Sequence, residues 1–229
     1  MELVIKTTSD GSSTLENTRF GATYHSHFGA IQESRHVFIQ AGLGYLLMHH
    51  TSELPIRIFE FGFGTGLNAY LTRLYAEQQG IPVHYRAVEQ YPVPLHIAEQ
   101  LNYPAILDGG NLDDFLDLHW AGWDCDLPLS PSFVLHKQSG NGLEPEDAQS
   151  QYHLIYYDAF GPESQPELWT ATALQRMTNA LDEGGVFVTY CAKGEVRRTL
   201  IHLGLDIERL PGPPGKREML RGVKRPQAS

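Results

Sequence analysis

The segment Ile56-Arg57-Ile58-Phe59-Glu60-Phe61-Gly62-Phe63-Gly64-Thr65-Gly66-Leu67-Asn68 restricts what this chain can fold into more than any other. A short apolar run suits a buried strand. Three glycines at alternate positions follow, and then Leu67-Asn68-Ala69-Tyr70-Leu71-Thr72-Arg73-Leu74 has helical spacing. Glycine admits unusual dihedrals and leaves no Cβ between the backbone and a ligand. The unpaired N–H groups of the new helix point toward the same place. This pattern predicts a ligand loop at the carboxyl end of a strand, where open α/β sheets bind their ligands.

The spacing narrows the ligand. A dinucleotide fingerprint needs Gly-x-Gly-x-x-Gly, and its third glycine position is Leu67 here. A P-loop needs Lys and Ser/Thr after its last glycine, and neither is present. Glu60-x-Gly-x-Gly-x-Gly resembles the first motif of class I S-adenosylmethionine-dependent methyltransferases. That resemblance implies that Gly62, Gly64 and Gly66 accommodate the methionine end of the cofactor. It also implies that Glu60 helps hold the ammonium group, with Asn68 grouped beside them at the start of the helix.

Strand-like and helix-like segments alternate from there. Val83–Glu89, 131–136, 151–158, 186–190, 206–210 and 218–223 read as strands, with helices over about 93–101, 112–123, 166–181 and 194–203. Asp182-Glu183-Gly184-Gly185 reads as a turn. The alternation predicts a doubly wound, mostly parallel sheet, and the resemblance to class I methyltransferases implies the Rossmann-like form with an antiparallel last strand. Residues 51–229 form that domain and residues 1–50 an N-terminal extension or cap, with a helix over roughly 40–51. Glu89 ends the second strand, 23 residues after Gly66. A carboxylate there can accept both hydroxyls of a ribose. After the third strand the chain runs Lys137-Gln138-Ser139-Gly140-Asn141 without an acid, leaving Gln138 or Asn141 to meet an adenine.

At 229 residues the chain can bury a core without staples. Two cysteines, no apolar run of transmembrane length and no leader-like amino terminus predict a cytoplasmic protein without a membrane partner. His25-x-His27 and His49-His50 lack a further ligand set with metal spacing, so no metal is expected. A net charge of −10 argues against a general nucleic-acid binder. Yet residues 193–229 hold nine Lys/Arg against four Asp/Glu, which is compatible with a local phosphate-contacting surface.

Later segments make the resemblance more specific. Tyr157-Asp158-Ala159-Phe160-Gly161-Pro162, Pro166-Glu167-Leu168-Trp169, Thr189-Tyr190-Cys191-Ala192-Lys193-Gly194 and Gly212-Pro213-Pro214-Gly215-Lys216-Arg217-Glu218-Met219 occur in that order. Together with Tyr24 and Glu33-Ser34-Arg35-His36-Val37-Phe38, they resemble the methyltransferase domain of the MnmC family. Its bifunctional members complete 5-methylaminomethyl-2-thiouridine at the tRNA wobble position. The resemblance implies methyl transfer from S-adenosylmethionine to the primary amine of 5-aminomethyluridine at tRNA position 34. It also implies a stand-alone enzyme, with no room for the family's flavin-dependent oxidase.

Asp158, at the end of the fourth strand, is then the candidate to orient the amine and accept its proton. Lys193, Arg197, Lys216 and Arg217 are candidates for tRNA phosphate contacts. Phe160 and Tyr190 either flank the reacting groups or simply pack. The competing expectations are a small-molecule amine methyltransferase, or aminopropyltransferase-like enzyme, in the same pocket and a non-catalytic nucleotide- or RNA-binding scaffold.

Overall fold

A computed structural model describes residues 3–49, 54–142 and 151–226. Strand β4 (Ile56–Phe61) is buried at every position but Arg57, as suits a strand with parallel neighbours on both sides. Those neighbours are β5 (Val83–Glu89) and β8 (Tyr152–Tyr157). With β6 (Asp126–Ser130), β7 (Phe133–Ser139), β9 (Leu181–Thr189), β10 (Leu205–Pro211) and β11 (Glu218–Lys224), they form an eight-stranded sheet of order β10-β11-β9-β8-β4-β5-β7-β6. Strand β11 runs antiparallel between β9 and β10, as expected for the last strand. The chain winds outward through β5 and β7 on one side of β4 and through β8 and β9 on the other. The winding direction therefore reverses between β4 and β8, which opens a crevice at their carboxyl ends.

Adjacent side chains on a strand point to opposite faces, and Tyr156 and Tyr157 show the consequence. Tyr156 packs with Phe38, Tyr70, Phe115 and Leu135 on one face. Tyr157 packs with Trp169, Leu174 and Phe187 on the other. Each face is covered by helices, chiefly Leu67–Gln79 and Leu112–Trp120 on the first and Ala171–Ala180 and Gly194–His202 on the second.

The amino-terminal part folds onto the first face and around the crevice. Strands β1 (Leu3–Thr7), β2 (Ser13–Asn17) and β3 (Ala22–Thr23) make a small antiparallel sheet. The helix expected over roughly 40–51 begins ten residues earlier. It runs as Ala30–Ser34, a π-helical stretch Arg35–Gly44, and Tyr45–His49. The wider turns of the π stretch disturb the 3.6-residue period on which a helix is recognised. Gly42 lets this helix lie close on the sheet, because a Cβ there would meet Val188 Cγ2 at 3.1 Å and Tyr156 Cε1 at 3.2 Å.

Other departures are local. Strand β6 was not expected; it is a short edge strand, antiparallel to β7, and holds Pro128 where a missing N–H is tolerated. The helix expected over 93–101 is a single turn, Leu95–Ala98. Asp182–Gly185, expected as a turn, lie within the start of β9, where the pairing with β8 shifts register.

Candidate active site

The crevice opens into a cavity of about 250 Å³ lined by residues from the glycine loop, from the ends of β5 and β8, from the amino-terminal cap and from the loop between β10 and β11. That is far larger than the water-sized voids of a packed interior. The glycine loop leaves β4 with Gly62 at φ 92° and Gly64 at φ 53°, a region that side chains resist. A Cβ on Gly62 would meet the Asp158 carbonyl oxygen at 3.1 Å. One on Gly64 would meet the Tyr24 ring at 3.0 Å. Gly66 precedes the helix Leu67–Gln79 without a side-chain cap, so the first-turn N–H groups have no capping acceptor.

Three of the carboxylates marked by sequence come together around this loop. Glu60 is fully buried beneath the cavity and does not line it. Its Oε1 accepts from Asn68 Nδ2 at 2.9 Å, and the same Asn68 nitrogen donates to Asp158 Oδ2 at 2.8 Å. Asn68 thus joins the two acids, and it lines the cavity together with Asp158. Glu60 Oε2 and Asn68 Oδ1 are buried acceptors without a hydrogen-bond partner among the described residues. Burial, and then the neighbouring Asp158 charge, push the Glu60 carboxyl well above the usual range. Burial and the Glu33 charge do the same to Asp158, against the opposing Asn68 hydrogen bond and Lys216 charge.

Glu89, at the end of β5, turns back toward the loop. Its Oε2 accepts from the Gly64 N–H at 2.9 Å and its Oε1 from the Tyr91 N–H at 2.7 Å. Burial raises its pKa, while these backbone donors pull the other way. Aromatic rings gather at the same side of the cavity. Phe160 lies 5.1 Å from Phe20 and 4.9 Å from Tyr24, and Phe20 lies 5.8 Å from Tyr91, centroid to centroid. The Arg19 guanidinium sits 4.4 Å from the Tyr91 centroid. Asn141 lines the cavity, whereas Gln138 accepts from Arg86 Nη2 at 2.9 Å, away from it.

The four basic residues separate. Lys216 lines the cavity, where its ammonium pairs with Glu33 and lies 3.8 Å from the Tyr190 ring centroid. Lys193 pairs with Glu163, outside the lining. Arg197 lies on the helix Gly194–His202 and Arg217 is exposed beyond Lys216; neither borders the cavity. Sequence reasoning named neither Glu33, Phe20 nor Tyr91 as a site residue. Glu33 carried no local signal, standing among the polar residues Gln32, Ser34, Arg35 and His36.

The donor set fits S-adenosylmethionine. The orphaned Asn68 Oδ1, on a residue that lines the cavity beside the glycine loop, suits an ammonium donor, and a carboxylate at the end of β5 suits a pair of hydroxyls. Among the described residues, no group of three or more His, Cys, Asp or Glu could hold a metal ion. No described helix is long and apolar enough to cross a membrane.

Known proteins resemble this chain. A family model described as S-adenosyl-L-methionine-dependent methyltransferase matches residues 141–225. The tRNA 5-methylaminomethyl-2-thiouridine biosynthesis bifunctional protein MnmC of Idiomarina loihiensis is 30% identical over 237 residues, covering 90% of this chain and 36% of the relative. Its counterpart from Pseudoalteromonas atlantica is 28% identical over 234 residues, covering 90% and 31%. The chain therefore spans about a third of the length of the curated relatives it matches. The crystal structure of MNMC2 from Aquifex aeolicus superposes with a TM-score of 0.76 at 26% identity, covering 99% of this chain and 71% of that one. The CMeT domain of the citrinin polyketide synthase shares the fold, with a TM-score of 0.51 at 15% identity over 80% of this chain and 51% of that one.

Proposed function

We propose that this chain, which carries an MnmC-like methyltransferase domain of the S-adenosyl-L-methionine-dependent class, methylates the primary amine of a 5-aminomethyl group on the wobble uridine of tRNA. The observation that carries this reading is the set Glu60–Asn68–Asp158 at the reversal point of the sheet, facing a wall of Glu33 and Tyr190. Carboxylates beside an aromatic face suit an alkylammonium.

When bound, S-adenosylmethionine supplies an electrophilic methyl group on a sulfonium. Asn68 and the loop of Gly62, Gly64 and Gly66 would hold its amino-acid end, with Glu60 fixing Asn68 from below. Glu89 would receive the ribose hydroxyls. Asp158 would take a proton from the acceptor ammonium and keep the amine in line. Holding two reactants in position supplies roughly 7–11 kcal/mol in favourable cases, more than the ~100- to 10,000-fold usual for a general base. Asp158 is therefore first a positioning carboxylate. Residues 1–50 would act as a cap that closes the cavity with Tyr24 and Glu33. Phosphate contacts would fall first to Arg217, then to Arg197 and, once released from Glu163, to Lys193, since Lys216 is turned inward onto Glu33.

The test is incubation with methyl-labelled cofactor and tRNA that lacks the last methyl group, followed by nucleoside analysis. Label in 5-methylaminomethyl uridine is expected. Label found only in free small amines would replace this reading with a small-molecule methyltransferase.

A further inference from the structure

The Glu33–Lys216 pair is assembled from distant parts of the chain. Glu33 lies in the segment Ala30–Ser34 and is 5% exposed. Its Oε2 accepts from the Ser26 N–H at 2.7 Å, and its Oε1 takes the Lys216 ammonium. Lys216 belongs to the β10–β11 loop, 183 residues away. Phe28 braces that loop, its ring filling the space that a Cβ on Gly215 would need. Tyr190, under the Lys216 ammonium, donates its hydroxyl to the carbonyl of Ala159 at 2.8 Å, next in sequence to Asp158. Glu33, Lys216, Tyr190 and Asp158 border one cavity. A half-buried ion pair gives little net stability, because desolvation and ordering offset the attraction, so stability is a weak reason for placing one in this wall.

We propose that Glu33 and Lys216 are positioning residues for the acceptor amine that act in opposition: Glu33 draws the incoming ammonium toward Asp158, and Lys216 favours the amine in its neutral, nucleophilic form. This rests on the amine-methylating reading above. In the step concerned, one proton passes from R–CH2–NH3+ to the Asp158 carboxylate. It leaves R–CH2–NH2 with its lone pair free and Asp158 as the neutral acid, and no other reactant is needed. A nearby carboxylate makes both the amine and Asp158 hold protons more tightly, and a nearby ammonium does the reverse. The other titratable groups facing this centre are Glu60 and Tyr85 beneath Asp158, Glu89 and Tyr24 in the same cavity, Tyr190 beside it with Cys191 and Glu163 behind, and His25 next to Glu33 and Lys216. All of these stay in place when only the pair is altered.

The two partners should therefore have opposite effects. In the ligand-free protein, the carboxyl titration of Asp158 is followed by 13C NMR, with the resonance assigned through Asp158→Asn. Lys216→Gln should move the midpoint up and Glu33→Gln should move it down, each by about one pH unit, the scale of one close charge. The rising limb of kcat against pH in the labelled-methyl assay should move in the same two directions, and Lys216→Arg should return it toward the parent. A pair that merely braces the wall would give equal losses of thermal stability from either variant, with both limbs unmoved or moved the same way. That result overturns the proposal, as does an NMR shift of opposite signs with no change in the kcat limb. The NMR arm needs no acceptor. A parent enzyme that fails to label tRNA would thus defeat the functional reading while the titration still reports on the pair.

Discussion

The crevice and the carboxy-terminal strands handle charge in opposite ways. In the crevice, Glu60, Asp158, Glu89 and Glu33 gather with Lys216 as the only Lys or Arg in the lining among the described residues. In β10, β11 and the residues just after, the cations have partners. Arg209 pairs with Glu218 at 3.5 Å, and Arg221 with Glu208 at 2.6 Å while lying over the Tyr45 ring. Lys224 donates to the Leu181 carbonyl, and Arg225 pairs with Asp206 and donates to the carbonyls of Gly204 and Ile201. The formal positive charge of this segment thus mostly ties its own hairpin to its neighbours. The acids without a cationic partner lie inside, which suits a cationic ligand. Segment charge read from sequence is a poor guide to which surface a partner meets.

The largest test of this contrast is Asp158→Asn. The amide can still accept from Asn68 Nδ2, so the local structure is kept, but it cannot take a proton. We expect kcat to fall by ~100- to 10,000-fold with cofactor affinity little changed, measured by single-turnover methyl transfer and calorimetric titration. An Asp158→Asn enzyme with near-parent kcat would remove the crevice carboxylate from the chemistry.

A smaller effect separates the crevice from an ordinary ion-paired region. Folding raises the Glu60 pKa from an ordinary 4.5. A carboxyl raised in the folded state contributes stability below its unfolded pKa and loses it as pH rises toward the folded value. The ligand-free protein should therefore lose stability as pH climbs above about 4.5. Glu60→Gln should flatten that loss and leave the protein more stable than the parent at pH 8. The same change should weaken cofactor binding through Asn68. Denaturant midpoints across pH, with and without cofactor, check both. Equal slopes for parent and variant would mean that Glu60 carries no such strain.

Where the sequence was readable, chemistry and local structure coincide. The strand, glycine turn and helix at 56–79 are contiguous, and Glu89 and Asp158 mark strand ends, so their convergence follows from a doubly wound sheet. The antiparallel direction of β11 followed from the family resemblance and not from local pattern. Glu33 and Lys216 were not, because each looks like a surface charge until a contact spanning 183 residues brings them together. The helix start at Ala30 was hidden by π turns that break the usual period. Strand β6 was hidden because an edge strand of five residues with a proline carries little pattern.

The smallest expected effect probes the other side of the comparison. If the acceptor is tRNA, its phosphates meet cations that are not already engaged. Arg217 is exposed, and no ion pair or hydrogen bond engages its side chain among the described residues, although its neighbour Lys216 turns into the cavity. Arg225 is also exposed but is held by Asp206 and two carbonyls. Each phosphate contact contributes about 0.7–0.9 to the slope of log affinity against log salt. Arg217→Gln should lower that slope by one such increment, with a modest loss of affinity near physiological salt. Arg225→Gln should leave the slope unchanged, because a cation already paired releases few counterions when RNA arrives. Filter binding of tRNA across a salt series distinguishes them. Equal slope losses from both variants would show that the hairpin's ion pairs open on binding, and that the carboxy-terminal charge is more available than its resting contacts imply.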